Sequence, residues 1–374
     1  MYDIIIIGFG ISALCFLIYL LKNNLITKYN ILVIEKYDIP CKYSLNYTNI
    51  NSNSTLDSLI SIFRDSIFDT VINKLKNLNK YVNLHNYNQI ISEICSILLK
   101  KLENIENINI LFNEEVNNIS YLNKTIKVDD YITKTCIISM GAKQDLEFIR
   151  NKDTNKILPN DQDKIVLPEN IFNNSYDINK LTNKDIAIIG SSHSSISLID
   201  CITSKKINCK NITLLCRNDF KVFFKDLEDS KKNGYNYKDV DVCTETNMVN
   251  RFDGLRENSK NIYMNLDKYK IKKILDKKII CDNYDIIIPC WGYYKKLPRI
   301  NNVLHTQNIN SNEDFELKIQ NKVYSNIFII GISSNPKIKI TQKSFKKSID
   351  GVWIYYNIIS KKLNDIIDLK INEF

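Results

Sequence analysis

Glycine and proline are scarce in this sequence, which has 9 Gly and 6 Pro among 374 residues. Isoleucine, asparagine and lysine are abundant, a bias typical of AT-rich coding, so asparagine-rich runs indicate turns less strongly than usual. The few glycines are informative for the same reason, because each persists in a composition that disfavours it. Six of the nine are therefore expected to mark turns that the fold requires.

Closely spaced cysteines and clustered histidines are also lacking. The nearest two of the ten cysteines are Cys209 and Cys216, there is no C-x-x-C, and the three histidines stand apart at positions 85, 193 and 305. This spacing excludes the usual zinc motifs and gives no sign of a secreted disulfide framework. We expect reduced thiols, no metal site and a cytoplasmic location.

The sequence has one long apolar run, at residues 4–21, but it does not predict a membrane span. Asp3 replaces a basic start, and Gly8 and Gly10 interrupt the run. The net charge of +9 is spread partly over separate lysine pairs, which is typical of a solvated surface rather than of a nucleic-acid groove. A hydrophobic share of 44% is ample for folded cores, and the length predicts two or three domains.

The chain begins with a strand, a turn and a helix. Ile4–Ile7 is typical of a strand buried on both faces, and an apolar helical stretch follows the turn. A second aliphatic strand ends at Glu35, with Lys36 beside it. The turn has the pattern G-x-G-x-x-A, formed by Gly8, Gly10, Ile11, Ser12 and Ala13. Such glycines let a pyrophosphate approach the positive end of the helix, and the acid accepts ribose hydroxyls, so we predict a dinucleotide site.

A second unit of the same kind begins at Asp185–Ile189, and its next strand ends before Arg217. Serines replace the second and third glycines, and they are small enough for close approach to a phosphate. Arg217 stands as far from Gly190 as Glu35 does from Gly8. An arginine at this position suits the 2′-phosphate of NADP, so we favour NADPH over NADH. The predicted turn comprises Gly190, Ser191, Ser192, His193, Ser194 and Ser195. The histidine has either a ligand contact or a helix-capping or packing role.

Three further aliphatic strands each run into a glycine, at Gly141, Gly292 and Gly331. This order of motifs resembles the two-dinucleotide-binding-domain flavoproteins, which include glutathione-reductase-like disulfide reductases and flavin-containing monooxygenases. The resemblance covers nearly the whole chain. It implies an α/β fold with two Rossmann-like domains, in which the NAD(P)H domain is inserted into a discontinuous FAD domain.

From this resemblance we expect an FAD domain at residues 1–160 and 320–374 and an NAD(P)H domain at 180–319. A lid or an insertion is expected at about residues 218–270. The resemblance implies that FAD contacts Gly8, Gly10, Ile11, Ser12, Ala13, Glu35, Lys36, Val116, Gly141, Gly331 and Ile332. It implies that NADPH contacts Gly190, Ser191, Ser192, His193, Ser194, Ser195, Arg217 and Gly292.

A closer similarity is to pyridine nucleotide-disulfide oxidoreductase-like proteins. Many relatives carry Asp after the late glycine, where it holds the flavin ribityl chain, but this chain has Ile332. The departure implies that flavin is held less tightly, or chiefly by backbone amides and the helix start near Gly351. The similarity is carried by residues 51–55, 190–195 and 331–336, and by Gly292 and Tyr293 with Leu297 and Pro298.

FAD with NADPH implies hydride transfer from nicotinamide to flavin, and the acceptor that then receives the electrons is left open. Our first hypothesis is a monooxygenase acting with oxygen on a small-molecule substrate. The stretch Asp285–Tyr293 together with Pro298 is loosely similar to the C-terminal motif of the amine N-hydroxylases. The F-x-G-x-x-x-H fingerprint of other flavin monooxygenases is absent. The alternatives are a reductase of a disulfide, a quinone or a protein acceptor, and a non-catalytic nucleotide-binding module.

A disulfide reductase needs two thiols at the flavin, and after Glu35 the sequence offers only Cys41, with Asn46 where a second could stand. Cys41 would then cycle alone as a redox thiol, with Lys42 lowering its pKa, or serve only as a loop residue. No residue is identified as a general acid or base. The sequence leaves the substrate and the oligomeric state open.

Overall fold

The computed structural model describes residues 1–42, 47, 49–52, 56–64, 66–74, 83–122, 124–153, 157–251, 253–276, 281, 283–293, 297–303, 309–331, 338–339, 345–346 and 351–374. Residues Asn53–Thr55 and Ile332–Pro336, which carry part of the predicted similarity, lie outside these ranges. The strands are β1 Tyr2–Ile7, β2 Ile31–Glu35, β3 Ile108–Phe112, β4 Asn118–Leu122, β5 Thr125–Val128, β6 Tyr131–Ile138, β7 Asp185–Ile189, β8 Asn211–Cys216, β9 Ile271–Leu275, β10 Ile286–Pro289, β11 Arg299–Ile300, β12 Ile309–Ser311, β13 Glu316–Ile319, β14 Lys322–Ile329, β15 Ile338–Lys339 and β16 Phe345–Lys346.

Among the described residues, helices follow β1, β2, β6, β7, β8 and β16, and those after β1, β2, β7 and β8 connect parallel strands. The helices are α1 Ile11–Lys22, α2 Leu56–Ile60, α3 Asp69–Lys74, α4 Leu84–Leu102, α5 Leu146–Lys152, α6 Pro168–Phe172, α7 His193–Ser204, α8 Leu227–Lys232, α9 Glu257–Met264, α10 Val352–Ile354 and α11 Lys361–Asn372. A π-helix at Tyr355–Ser360 joins the last two. Short 3₁₀ turns occupy Ile26–Lys28, Ser61–Phe63, Ser66–Phe68, Gln162–Lys164, Ile178–Leu181, Asp239–Asp241 and Leu266–Tyr269.

The larger sheet has a parallel centre with the strand order β3-β2-β1-β6-β14, and an antiparallel extension through β5 and β4. The isoleucines of β1 are fully or almost fully buried because both faces of the sheet are covered. Ile4 and Ile6 pack on the helical side, whereas Ile5 and Ile7 pack on the opposite side, as the alternation of side chains in a strand dictates.

The second sheet is entirely parallel, with the order β10-β7-β8-β9. Ile186 and Ile188 pack in one core with α7 and α9, and Ala187 and Ile189 pack in another on the opposite face. Both sheets therefore contain the three-strand order of a dinucleotide-binding unit followed by a fourth parallel strand.

The C-terminal helices return to the first sheet. The Sγ atom of Cys15, in α1, lies 3.8 Å from the carbonyl oxygen of Val352, and the Tyr29 hydroxyl donates to Asn364 at 3.1 Å. The first unit is thus built from both ends of the chain with the second unit between them. The predicted α/β fold class, two Rossmann-like units with one inserted into the other, is confirmed.

Some residues near the expected domain limits pack with the sheet of the other unit. The limits themselves stay a prediction. Ile149, Ile157 and Leu158 pack against the second sheet although they precede residue 160. The strands β11 and β12 belong to the first sheet although they precede residue 320. We therefore expect the junctions near the two glycine-containing loops at Gly141 and Gly292.

The segment predicted as a lid or an insertion packs on the second core. Phe220 and Phe224 are buried there, and Tyr235 packs against the same core. Its hydroxyl donates to the Phe220 carbonyl oxygen at 3.1 Å. These aromatic side chains cover core surface, and movement of the segment as a lid stays a prediction. Within the part of the chain that the structure describes, no helix is long and apolar enough to cross a membrane.

Candidate functional site

The first turn needs glycine at position 8. Gly8 has φ +88°, and its N–H donates to the Ile34 carbonyl oxygen at 2.8 Å, which ties the turn to β2. A Cβ atom at this position would stand 2.8 Å from the carbonyl oxygen of Ser139. Because that neighbour is backbone, it has little freedom to move aside. The turn therefore stays open on its other side, where a ligand can approach the main chain.

Helix α1 presents its N-terminus at this turn. Gly10 is the N-cap residue and has no side chain to fill the position, and the first turn contains no acidic residue. The first helical bond runs from the Leu14 N–H to the Gly10 carbonyl oxygen at 2.9 Å. Helical geometry leaves the preceding amides, at Ile11–Ala13, without an acceptor inside the helix. Such an end attracts a phosphate or another anion.

Glu35 lies at the end of β2 and is only 6% exposed. One carboxylate oxygen accepts the N–H of Phe9 at 2.5 Å, and the other accepts the N–H of Tyr37 at 3.0 Å. Burial raises the pKa of Glu35, and these backbone hydrogen bonds act in the opposite direction. The carboxyl group thus fixes the turn, and its remaining lone pairs can accept ribose hydroxyls.

Three chain segments meet behind the turn at two serines and a glycine. The hydroxyl groups of Ser12 and Ser139 are 2.6 Å apart. Gly331, which follows β14, has φ +85°, and a Cβ there would stand 2.7 Å from the Ser12 Oγ atom. The late strand can approach the first turn so closely because residue 331 lacks a side chain.

A cavity of about 480 Å³ opens at the carboxyl ends of these strands. It collects the predicted residues Gly8, Gly10, Ile11, Ser12, Glu35, Lys36, Val116, Gly141 and Gly331. Ala13 is buried and does not line it, and Ile332 lies outside the described residues. The volume is typical of a cofactor pocket. The open turn, the uncapped helix end and the buried acid are the parts that FAD requires, so the residues present fit this cofactor.

Other residues that line the cavity were missed from the sequence. They are Ile7, Phe9, Ile34, Tyr37, Lys42, Tyr47, Glu114, Glu115, Ser139, Met140, Ala142, Lys143, Tyr293 and Tyr355. Ser139, Met140 and Ala142 adjoin the predicted Gly141 and could have been found as its neighbours. Tyr47 and Tyr355 come from distant segments, and no local signal in the sequence marks them, whereas Tyr293 belongs to the motif around Gly292.

Cys41 does line the cavity, but its surroundings differ from those predicted. The Lys42 ammonium pairs with Asp38 at 2.5 Å. The Cys41 pKa is raised well above its ordinary value, first by contact with the Cys95 thiol and then by burial. The prediction that Lys42 lowers this pKa is therefore wrong, because the aspartate neutralises the lysine and the thiol lies in the core.

The second turn repeats the backbone of the first. Gly190 has φ +122°, its N–H donates to the Leu215 carbonyl oxygen at 2.9 Å, and an added Cβ would stand 2.9 Å from the Cys290 carbonyl oxygen. Ser192 is the N-cap residue of α7, and its side chain makes no capping hydrogen bond. His193 is the first residue of the helix, and Ser191 and Ser194 lie half-buried beside it.

Ser195 has a structural contact rather than an open hydroxyl. Its side chain is buried and donates to the Gly190 carbonyl oxygen at 2.7 Å. Arg217 follows directly after β8 and is exposed, which leaves its guanidinium in solvent at the end of the second unit. The amide of Gln144 donates to the Gly292 carbonyl oxygen at 2.7 Å and thereby joins the two glycine-containing loops.

Tyr293 connects the cavity with the second turn. Its ring lines the cavity, and its hydroxyl hydrogen-bonds with the side chains of Tyr47 and Ser194. Burial raises the pKa of Tyr293 to about 12, so the phenol stays protonated at neutral pH. Among the described residues, no group of three or more His, Cys, Asp or Glu side chains is placed to hold a metal ion.

Comparisons with known proteins identify the fold. No protein-family model and no curated protein sequence matches the chain. Among solved structures it is similar to the bacillithiol disulfide reductase Bdr (YpdA) from Staphylococcus aureus, with a TM-score of 0.56 and 15% identity over 97% of this chain and 98% of that one.

Two amine-hydroxylating enzymes are similar to the same extent. The L-lysine 6-monooxygenase from Pseudomonas syringae has a TM-score of 0.60 and 11% identity over 99% of this chain and 100% of that one. The ornithine N-hydroxylase KtzI from Kutzneria sp. 744, described with reduced FAD, NADP+ and L-ornithine, has a TM-score of 0.58 and 10% identity over 99% of both chains. The chain has the fold of these two-domain flavoproteins, and at such identities the likeness extends to the fold alone.

Proposed function

We propose that the protein is an FAD-dependent oxidoreductase that takes hydride from NADPH. The observation that carries the proposal is the cavity, in which the Gly8 turn, Glu35, Val116, Gly141 and Gly331 meet although they come from five separate segments. When bound, FAD supplies a carrier that accepts two electrons as a hydride. The likeness to flavoproteins of both reductase and monooxygenase type supports the same proposal.

In this proposal each part of the first turn has a defined task. The amides at the start of α1 bind the pyrophosphate, and Glu35 orients the ribose while it fixes the Phe9 amide at 2.5 Å. The backbone near Gly141 and Gly331 approaches the flavin closely because neither residue carries a side chain. The apolar surroundings exclude water from the reacting atoms.

The second turn would hold NADPH. The amides at the start of α7 and the half-buried serines bind the phosphates, and the exposed Arg217 recognises the 2′-phosphate. Tyr293 supports the path between the two cofactors, because it lines the cavity and contacts Ser194 of the second turn. Its protonated hydroxyl orients groups at this junction without taking up charge.

The electron acceptor has two candidates. The sequence favours oxygen together with a small-molecule substrate, as in the amine N-hydroxylases. One structural observation favours a reductase instead, because the Sγ atoms of Cys41 and Cys95 lie 3.9 Å apart beside the cavity. A third hypothesis, a non-catalytic module, requires that no electrons pass from NADPH to bound flavin.

FAD titration followed by turnover tests separates these hypotheses. We expect FAD fluorescence to be quenched stoichiometrically and NADPH oxidation to depend on bound FAD. Oxygen uptake matched by hydroxylated amine would identify a monooxygenase. NADPH oxidation without oxygen, driven by a disulfide or a quinone, would identify a reductase. Absence of FAD binding would overturn the proposal and leave the module hypothesis.

A further inference from the structure

An acidic residue stands two positions after Arg217, beyond the end of β8. It is Asp219, and its side chain is 50% exposed. Two residues of extended chain span at most about 7 Å, so the side chains of Asp219 and Arg217 leave the backbone close together. At the end of this strand in a dinucleotide-binding unit, an acid suits the ribose hydroxyls of NAD, and an arginine suits the 2′-phosphate of NADP. The second unit thus carries a residue of each kind.

Lys273, in the neighbouring strand β9, pairs with this acid. Its ammonium donates to the two carboxylate oxygens of Asp219 at 3.1 and 3.2 Å, and its side chain is 28% exposed. Lys221 lies nearer along the chain but pairs with Asp253 at 2.9 Å. Among the residues that the structure describes, Lys273 is therefore the cation that neutralises Asp219.

Tyr263, in α9, holds the pair from the core side. Its hydroxyl donates to the Asp219 carboxylate and accepts from the Lys273 ammonium at 2.9 Å. The Tyr263 ring is buried, packs 4.9 Å from the ring of Phe220 and lies 4.9 Å from the Lys273 ammonium. Burial acts to raise the pKa of Asp219, but hydrogen bonds from Tyr263, the following backbone N–H and Lys273 lower it overall. The carboxylate is thus ionised at neutral pH and fixed in place.

The two units treat their acids differently. In the first unit, Glu35 is held by the backbone N–H groups of Phe9 and Tyr37, so its charge can act on a ribose. In the second unit, the ammonium of Lys273 cancels the charge of Asp219 and occupies its oxygens. A 2′-phosphate carries about two negative charges near neutral pH, so an ionised acid without this partner would repel it.

We propose that Lys273 determines the nucleotide specificity of the second unit by neutralising Asp219 beside the position of the 2′-phosphate, with Tyr263 holding the pair. Without Lys273, the Asp219 carboxylate would repel a 2′-phosphate and become free to accept a ribose hydroxyl. This inference rests on the proposed function and adds to it a residue from a different strand. Lys273 is a positioning residue, because it acts on the nucleotide through Asp219.

Calorimetric titration of the full chain with adenosine 2′,5′-bisphosphate and with 5′-AMP tests the inference without an activity assay. Lys273→Met should weaken binding of the bisphosphate about tenfold, as one uncompensated charge near a phosphate predicts, without weakening that of 5′-AMP. Lys272→Met is the matched control, since Lys272 is exposed in the same strand and its loss changes the net charge equally. It should change both affinities by less than about twofold. Lys273→Arg keeps the charge and should keep the wild-type preference.

Removing the acid provides the second arm. Asp219→Asn should strengthen bisphosphate binding about threefold, and adding it to Lys273→Met should restore an affinity within about threefold of the wild type. A double variant as weak as Lys273→Met would show that the lysine binds the phosphate itself, which would overturn the inference. Equal losses of both probes in Lys273→Met would also overturn it, as would an unchanged bisphosphate affinity in Asp219→Asn. A wild type that binds neither probe would instead overturn the proposed function.

Discussion

The two glycine turns that we propose as nucleotide sites share their backbone geometry but differ in the side chain at the end of the second strand. Gly8 and Gly190 both have positive φ, and both donate their N–H to the neighbouring strand, at 2.8 and 2.9 Å. In each turn an added Cβ would meet a backbone carbonyl oxygen. Where the second strand ends, however, the first unit has the buried Glu35, and the second has the exposed Arg217.

In the proposed function, this difference would determine how each nucleotide is held. The Glu35 carboxylate is fixed by two backbone N–H groups at the wall of a cavity, so the first site is organised before any ligand arrives. Arg217 lies in solvent, where it meets a phosphate without a large loss of hydration. The first site suits a cofactor that stays bound, and the second suits a nucleotide that exchanges in every cycle.

The largest expected effect comes from Gly8→Ala. Overlap with the Ser139 carbonyl oxygen and the positive φ strain the turn by roughly 1–3 kcal/mol or more. We expect FAD affinity to fall by up to about 100-fold, as measured by fluorescence titration. Gly234→Ala is the matched control, since Gly234 has φ +63° but open space around the added Cβ. Equal flavin loss in both variants would contradict the role of Gly8.

Gly190→Ala should separate the two sites. The added Cβ meets the Cys290 carbonyl oxygen, so the second turn must shift while the first is untouched. We expect the KM for NADPH to rise roughly 30-fold, with FAD still bound stoichiometrically. Steady-state kinetics and the flavin content of the purified variant provide the check. Loss of flavin from this variant would mean that the two turns do not act independently.

Arg217→Ala should change cofactor preference with a smaller effect. Loss of the guanidinium would remove the charge-assisted contact that we propose with the 2′-phosphate of NADPH, and NADH has no such group. The KM for NADPH should therefore rise about tenfold while that for NADH stays the same. Arg217→Lys keeps the charge but loses the planar fork of the guanidinium, so its KM for NADPH should lie between those of the wild type and Arg217→Ala. An equal rise in KM for NADPH and NADH would contradict the assignment of the second turn to NADPH.

Glu35→Gln should give the smallest effect. It should change how the free energy of unfolding of the cofactor-free protein depends on pH. Burial raises the pKa of Glu35, so the folded chain holds this proton more tightly than the unfolded chain. The protonated Glu35 carboxyl group therefore contributes fully to the free energy of unfolding below the pKa that Glu35 has in the unfolded chain. This contribution is lost as the pH rises through the pKa of Glu35 in the folded chain. Urea unfolding between acid and neutral pH should show this decline in the wild type and a flatter profile in the variant. Identical pH profiles for the wild type and Glu35→Gln would contradict the rise in the pKa of Glu35.

The fold was accessible from the sequence because its signals are local. Gly8, Gly10 and the aliphatic run before them lie within a few residues of one another, and their spacing to Glu35 is fixed by one helix and one strand. The same holds for Gly190 and Arg217. Successive elements of such a unit lie next to each other in space. The order of strands, turns and helices along the chain was therefore enough to predict two Rossmann-like units.

The remaining parts depend on long-range packing. Tyr293 reaches the cavity from the loop after β10, and Cys95 reaches Cys41 from a helix 54 residues away. Nothing near either residue in the sequence specifies these neighbours. The domain junctions are hard to place for a similar reason, since Ile149 has an ordinary apolar pattern that fits either core. The pKa of Cys41 was predicted from its neighbour Lys42, whereas contact with the Cys95 thiol and then burial raise it.

Absorbance spectroscopy of the FAD-loaded protein under anaerobic NADPH addition tests the central claim most directly. The claim is that the first turn holds flavin and the second delivers hydride to it across the junction at Tyr293. The visible flavin band should bleach with one equivalent of NADPH in the wild type, and Gly190→Ala should need far more. Bound flavin that NADPH leaves unbleached would contradict the account.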